Sequence, residues 1–431
     1  MTTADLNWRR GLLAVSPIVV FLLFYLVVSL VVGDFYKMPI SVALIIASVW
    51  AVVSQLRRCS VAEAVENFSR SAGHHNVLYM VWIFILAGAF AALANETGAV
   101  HATVSFALRL LPAQLIIPGL FLAACFISFA IGTSVGTVVA LTPLAVEIAN
   151  SGGASVPFFV AVTLGGAFFG DNLSFISDTT IAATRTQGCK MADKFKANFK
   201  IVLPAALITL ILYFLIGAGV DEFTPDATAD WWMMLPYLLV IGLALAGVNV
   251  VVVLVAGIVA MLLLAWCAGF SAMDTVGFMG SGIDGVGNLI IITLLAAGLL
   301  GLISAAGGIS FILKSLTRCI HGKRGAQGVV ALLTGIVNLC TANNTVTILT
   351  IGELSRDIAA RYGIAPRKMA SLLDTCSCIV QCLIPYGAQT LMATGLAGIS
   401  PAAPWPYLYY PWALALTVAL TIIINPRRKN S

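Results

Sequence analysis

The chain has 431 residues, 60% of them hydrophobic and 10% charged, with a formal charge of +5. So apolar a composition excludes a soluble domain and reads as an all-α polytopic membrane protein whose first partner is the lipid bilayer. The basic residues lie in loops between apolar runs, not in one patch, which excludes nucleic acid; nine mostly intramembrane cysteines and four scattered histidines give no metal-ligand spacing and no cofactor.

Apolar stretches near the ~20 residues needed to cross a bilayer core recur along the chain. The first, Gly11–Val32, is longer than a signal-peptide core and lacks a small-residue cleavage site, so it reads as a retained helix. Then follow Pro39–Ser54, Val77–Asn95, Val156–Arg185, Phe199–Gly219 and Trp231–Gly247. Val250–Cys267, Asn288–Ser304, Pro366–Gly395 and Tyr407–Asn425 complete the set. Two more apolar segments, 112–150 and 326–357, are broken by polar centres and read as re-entrant hairpins. With ten crossings, every Lys and Arg of the 23 except Lys37 and Arg109 lies on one side. The positive-inside rule makes that side the cytoplasm and puts both termini there, in the cell membrane. Two full crossings per broken segment would keep the same signs, so twelve crossings is the alternative.

The halves repeat. Leu86–Val100 aligns with Leu295–Ile309 at an offset of 209, and Thr133 and Thr137 with Thr341 and Thr345 at 208. Asp171, Ser174 and Asp178 then align with Asp374, Ser377 and Gln381 at 203. Five crossings per half is odd, so the second copy inserts upside down. The expected fold is two inverted-topology repeats of five transmembrane helices plus one re-entrant hairpin each, with helices broken at the midplane. The first repeat is 1–220, with hairpin 112–150 and broken helix 156–185. An extracellular connector, 221–230, leads to the second repeat, 231–431, with hairpin 326–357 and broken helix 366–395. Arg109 and Lys314–Arg318 fall in corresponding amphipathic stretches, expected as interfacial helices bracing each hairpin.

Four stretches then converge. The hairpin tips carry Thr133, Ser134 and Thr137, and Thr341, Asn343, Asn344 and Thr345, whose oxygens and amides suit an ion or a small polar substrate. The broken helices carry Asp171, Asn172, Ser174, Ser177, Asp178 and Thr179, and Asp374, Ser377 and Gln381. A carboxylate at membrane depth costs at least ~2.5–3.5 kcal/mol, so such acids mark an ion or proton pathway. Burial disfavours a carboxylate's charged form and a bound cation favours it, so acids that hold either Na⁺ or a proton make an exchanger by competition. Asp171, Asp178 and Asp374 are the expected cation and proton sites, with Na⁺ at Asp171 and Asp374. Gln381, an amide, can only be a ligand. Glu147 reads as a boundary residue, and His74 and His75 as solvated.

The stretch GGAFFGDNLSFISDTTIAATRTQGC, Gly165 to Cys189, resembles the signature of the NhaC family of Na⁺/H⁺ antiporters. The match is closest at Gly170-Asp171 and Ser177-Asp178-Thr179; Phe175 stands where members usually carry proline. The resemblance implies Na⁺ exchanged for H⁺ across the cytoplasmic membrane by an inverted-repeat transporter, and some relatives carry organic acids or amino acids instead. The expected function is therefore a secondary active Na⁺/H⁺ antiporter working by alternating access, not an enzyme, with a homodimer allowed. The alternative is a Na⁺- or H⁺-coupled carrier of a small organic acid or amino acid. An intramembrane aspartyl protease using Asp171 and Asp374 as a dyad, or a channel, ranks below both.

Overall fold

The computed structural model describes residues 8–32, 38–56, 59–175, 177–217, 230–318 and 320–424. The 221–230 connector apart from Asp230, and the charges of Lys37, Arg57, Arg58, Arg427, Arg428 and Lys429, lie outside the described residues. Among the described residues the chain is helical with no strand. Helices α1 (Trp8–Val32) and α2 (Ile40–Gln55) precede a short polar α3 (Val61–Ala72) and the apolar α4 (His75–Glu96). Next come α5 (Ala99–Leu110), α6 (Ala113–Ile131), α7 (Ser134–Ser151), α8 (Val156–Leu173), α9 (Asp178–Gln187) and α10 (Met191–Gly217). A 3₁₀ turn at Trp231–Met234 leads into α11 (Leu235–Leu245), α12 (Val250–Cys267), α13 (Ala272–Gly285) and α14 (Gly287–Ala305). The last six are α15 (Gly308–Thr317), α16 (Gly322–Thr341), α17 (Asn344–Arg361), α18 (Pro366–Leu383), α19 (Ala388–Leu396) and α20 (Tyr409–Ile423). Among the described residues nine helical stretches are long and apolar enough to cross a membrane, so the protein is a multi-pass membrane protein. Large apolar side chains such as Trp82, Leu215 and Val255 stay exposed on these helices, as lipid-facing residues should.

The predicted interfacial stretches are the separate helices α5 and α15, and each predicted hairpin is a pair, α6–α7 and α16–α17. Helices α3 and α13 were not predicted, being too short and too polar to register as spans.

The two series α4 to α9 and α14 to α19 match in order and in backbone detail. Gly98 and Gly307, which precede α5 and α15, both take positive φ, 79° and 81°. At the hairpin tips, Gly132 (φ 74°) and Ala342 (φ 47°) are followed by extended Thr133 and Asn343. Ala342 is the one non-glycine residue with positive φ among the described residues. That conformation costs an L-residue roughly 1–2 kcal/mol, and the tip holds it in place. Helices also pack reciprocally across the halves: α13 on α4 and α3 on α14, α9 on α17 and α19 on α7.

The register corrects one expectation. Helices α7 and α17, and α8 and α18, begin and end 210 residues apart. The same offset relates two inter-helix bonds, Ser128 Oγ to the Ala167 carbonyl and Asn338 Nδ2 to the Ser377 carbonyl. Gln381 therefore stands where Asp171 does, and Asp374 answers to Leu164, two turns further from the break. The match of Asp171 to Asp374 at 203 followed residue identity across a shift that helix ends do not share.

Helix α8 lies against α6 through glycine. A Cβ on Gly166 would sit 2.5 Å from the Ala124 Cβ and 2.7 Å from the Phe121 carbonyl oxygen, and one on Gly170 would strike the Ser128–Phe129 backbone. Gly166→Val should therefore push the hairpin off α8 and lower the thermal midpoint sharply, by more than the ~1–3 kcal/mol of ordinary overpacking, because backbone cannot yield. A Gly166→Val protein that melts like wild type would show that this contact does not set the packing.

Candidate functional site

Both hairpin tips and the break between α8 and α9 open onto one cavity of about 340 Å³. The α8 helix ends because Ser174 is extended (ψ 140°), and α9 starts afresh because Ser177, also extended, accepts a hydrogen bond from the Thr180 amide. Phe175 does not prevent the break, since the flanking serines end one helix and cap the next. Its ring instead stacks on Phe195, 4.6 Å between centroids. The corresponding break between α18 and α19 begins at extended Ile384 and contains Pro385.

Of the residues singled out from the sequence, Thr133, Ser134, Asp171, Asp178, Thr179, Asn343, Asn344 and Thr345 line this cavity. Asp171 is buried in the wall, and the Ser134 hydroxyl donates to its Oδ2 at 3.0 Å. Asp178 is exposed in the first turn of α9, where the helix dipole favours its negative charge. No Lys, Arg or His lines the cavity among the described residues, so its fixed charge is acidic.

The others face elsewhere. Thr137 bonds back to the Thr133 carbonyl, and the Thr341 hydroxyl lies 2.6 Å from that of Thr347, bracing the second tip. The Ser377 hydroxyl donates to the Asp374 carbonyl, and Ser177 to that of Asp171. The Ser174 carbonyl accepts from the Thr180 hydroxyl. Asn172 points behind the cavity, donating to the Phe168 carbonyl and the Tyr410 hydroxyl. Gln381 donates to the Ala342 carbonyl at the second tip and to Gln389 Oε1, both at 3.0 Å.

Gln389 was missed. Its amide donates to Ser134 Oγ at 3.0 Å, so a chain of polar groups runs from Asp171 through Ser134 and Gln389 to Gln381. The signal was there: Gln389 is a lone amide two residues after the breaker Pro385-Tyr-Gly387.

Asp374 does not line the cavity. It is fully buried, and its Oδ2 is 2.8 Å from Lys194 Nζ, itself 1% exposed, and 2.6 Å from Asn198 Nδ2. Lys194 also donates to the Thr180 hydroxyl (2.6 Å) and the Asn172 carbonyl (3.0 Å), where Asn198 joins it at 2.8 Å. Two expectations are thus corrected. Lys194 is not a cytoplasmic loop charge, because α10 begins at Met191 and carries Lys194 and Asn198 on one inward face. Asp374, expected to share a cavity with Asp171, instead lies outside it against the Lys194 ammonium. Thr180 and Ser177, 3.0 Å apart, link this pair to the break at Asp171.

Glu147 Oε1 lies 2.7 Å from His101 Nδ1, beside a smaller cavity of about 250 Å³ at the far ends of α4, α7 and α19. His74 caps α4, its ring accepting from the Asn76 amide.

Among known proteins, the chain is 24% identical over 390 residues to the Na(+)/H(+) antiporter NhaC of Bacillus subtilis (strain 168), covering 82% of this chain and 84% of that one. It is 24% identical to the malate-2H(+)/Na(+)-lactate antiporter of the same organism, over 90% of this chain and 89% of the other. It is 23% identical to the arginine/ornithine antiporter ArcD of Halobacterium salinarum (strain ATCC 700922 / JCM 11081 / NRC-1), over 76% and 75%. A family model described as Na+/H+ antiporter family matches residues 10–218 and 228–425, nearly the whole chain in two blocks. By that match the chain belongs to the Na⁺/H⁺ antiporter family.

Proposed function

We propose that this protein exchanges Na⁺ for protons across the cell membrane by alternating access, with Asp171 as the carboxylate that holds one or the other. The observation that carries this reading is the cavity at the hairpin tips, lined by Asp171 and Asp178 and by no basic side chain among the described residues. Such a surface attracts cations and repels carboxylates. Asp171 has hydroxyl and amide oxygens from Ser134, Asn344 and Thr345 on the same cavity, the oxygen donors a hard cation prefers. Asp178, at the more open side, raises the local cation concentration. Asp374 with Lys194 forms a neutral pair that fixes α10 to α18.

The proposed topology is two inverted repeats, 1–220 and 231–431 about the 221–230 connector, with both termini cytoplasmic. It is supported by the matched helix series and by the contact of each tip with a helix break, Ser134 with Asp171 and the Ala342 carbonyl with Gln381. If each broken helix crosses the bilayer, its break and the tip bound to it lie near the midplane, which makes α6–α7 and α16–α17 re-entrant and leaves ten crossings.

A second reading is favoured by size. About 340 Å³ is room for an organic molecule, and α7 starts at this cavity with no side-chain cap on its amides, a fitting place for a carboxylate. That combination suits an amino acid, whose ammonium would meet Asp171. The deciding measurement is proton flux in proteoliposomes on adding Na⁺, Li⁺ or K⁺, with organic acids and amino acids as competitors. Na⁺-dependent proton movement unaffected by the organic panel is the expected result. No Na⁺ response, with exchange of labelled amino acid, would replace the first reading by the second.

A further inference from the structure

A larger hollow of about 920 Å³ lies away from the exchange site, between the ends of α10, α18 and α20. Lys196 and Lys200 enter it from α10, and Arg367 and Lys368 from α18, against one acid, Asp193. Lys196, Lys200 and Arg367 are exposed, and among the described residues none of the three forms an ion pair. The other wall is apolar: Phe199, Leu420 and Ile424 line it with 43%, 42% and 66% of their surface open. The groove is therefore basic on one side and oily on the other.

Ser371 adds an independent sign. It lines the groove, is 1% exposed, and its hydroxyl has no hydrogen-bond partner among the described residues. A serine inside a helix ordinarily bonds back to a carbonyl one turn earlier, as Thr375 does to Ser371 itself. The Ser371 hydroxyl is thereby left able to donate to an acceptor from outside the chain.

We propose that this groove binds an anionic phospholipid, its phosphate held by Lys196, Lys200 and Arg367 with the Ser371 hydroxyl, and its acyl chains laid along Phe199, Leu420 and Ile424. Basic pockets between transmembrane helices on the side of the positive loops bind acidic headgroups by this charge complementarity. A free phosphate would use the charges and leave the apolar wall idle; an acidic peptide would not reach a hollow flanked by membrane spans.

The test is thermal unfolding of the full chain in neutral detergent, with added phosphatidylglycerol, phosphatidylcholine or glycerol phosphate. Phosphatidylglycerol should raise the midpoint clearly above phosphatidylcholine, and glycerol phosphate should leave it unmoved. The triple variant Lys196→Gln/Lys200→Gln/Arg367→Gln should keep less than half of that gain, while melting as wild type does in phosphatidylcholine. Equal shifts from both lipids, the full shift from glycerol phosphate, or an undiminished shift in the triple variant would each overturn the proposal. Should the triple variant not fold, Leu420→Trp on the exposed wall gives a second reading. Its fluorescence should be quenched more by brominated phosphatidylglycerol than by brominated phosphatidylcholine, and equal quenching would overturn the proposal.

Discussion

Asp171→Asn should bring Na⁺-driven proton exchange down to the level of empty vesicles while the protein still folds. Asparagine keeps the size of the side chain and can still accept the bond from Ser134 Oγ, so the tip stays docked on the break. What it loses is the negative charge and the titratable oxygen that the proposed exchange requires. Asp178→Asn should behave differently, because that side chain is exposed and serves the cavity's potential. It should raise the Na⁺ concentration needed for half-maximal exchange and leave the maximal rate near wild type. Gln389→Leu, which removes the donor to Ser134, should fall between the two by loosening the tip. These outcomes are read from the same flux assay, with size-exclusion profiles as the control for folding. Wild-type exchange in Asp171→Asn would remove the carboxylate from the transport step altogether.

Much of the architecture was legible because bilayer solvation is a strict demand. The span Val250–Cys267 was read to the residue, since its flanks, Asn249 and Ala268-Gly269, end the apolar run abruptly. The two polar-centred segments were legible as helix pairs because Gly132-Thr133 and Asn343-Asn344 cannot continue a helix cheaply in lipid. Lys194 was not legible. It sits in Met191-Ala-Asp-Lys-Phe-Lys-Ala-Asn-Phe-Lys200, where four of ten residues are charged, and local composition reads as a loop. Only the i, i+4 relation to Asn198, together with an acid from a helix 180 residues away, draws that lysine inside. The register of the repeat failed for a related reason. Identical residues, Asp with Asp, were matched where the backbone aligns Asp171 with Gln381. Helix ends and inter-helix contacts match between the two series, while the side chains at matching places differ.

The buried pair supplies the second large effect. Lys194→Met leaves Asp374 charged with only Asn198 as partner, for Asp374 Oδ1 has no hydrogen-bond partner among the described residues. Asp374→Asn removes the counter-charge and leaves the ammonium of Lys194 with neutral acceptors alone, the Thr180 hydroxyl and the Asn172 carbonyl among them. Breaking a buried pair from one side costs roughly 3–5 kcal/mol, whereas replacing both partners by neutral groups of similar shape is often close to neutral. Each single variant should therefore express poorly and melt well below wild type, and Lys194→Met/Asp374→Asn should recover most of the lost stability. The double variant should also regain Na⁺-dependent proton exchange, since the cavity and Asp171 are intact and only a neutral brace has been swapped for another. Lys194→Arg should not rescue as well as the double variant, because a planar guanidinium does not fit a site shaped around a compact ammonium with three acceptors. A double variant that folds and melts like wild type but moves no Na⁺ would reverse this assignment. It would make Asp374 a transporting acid from which Lys194 must be displaced in every cycle, and it would restore two exchanging carboxylates to the mechanism.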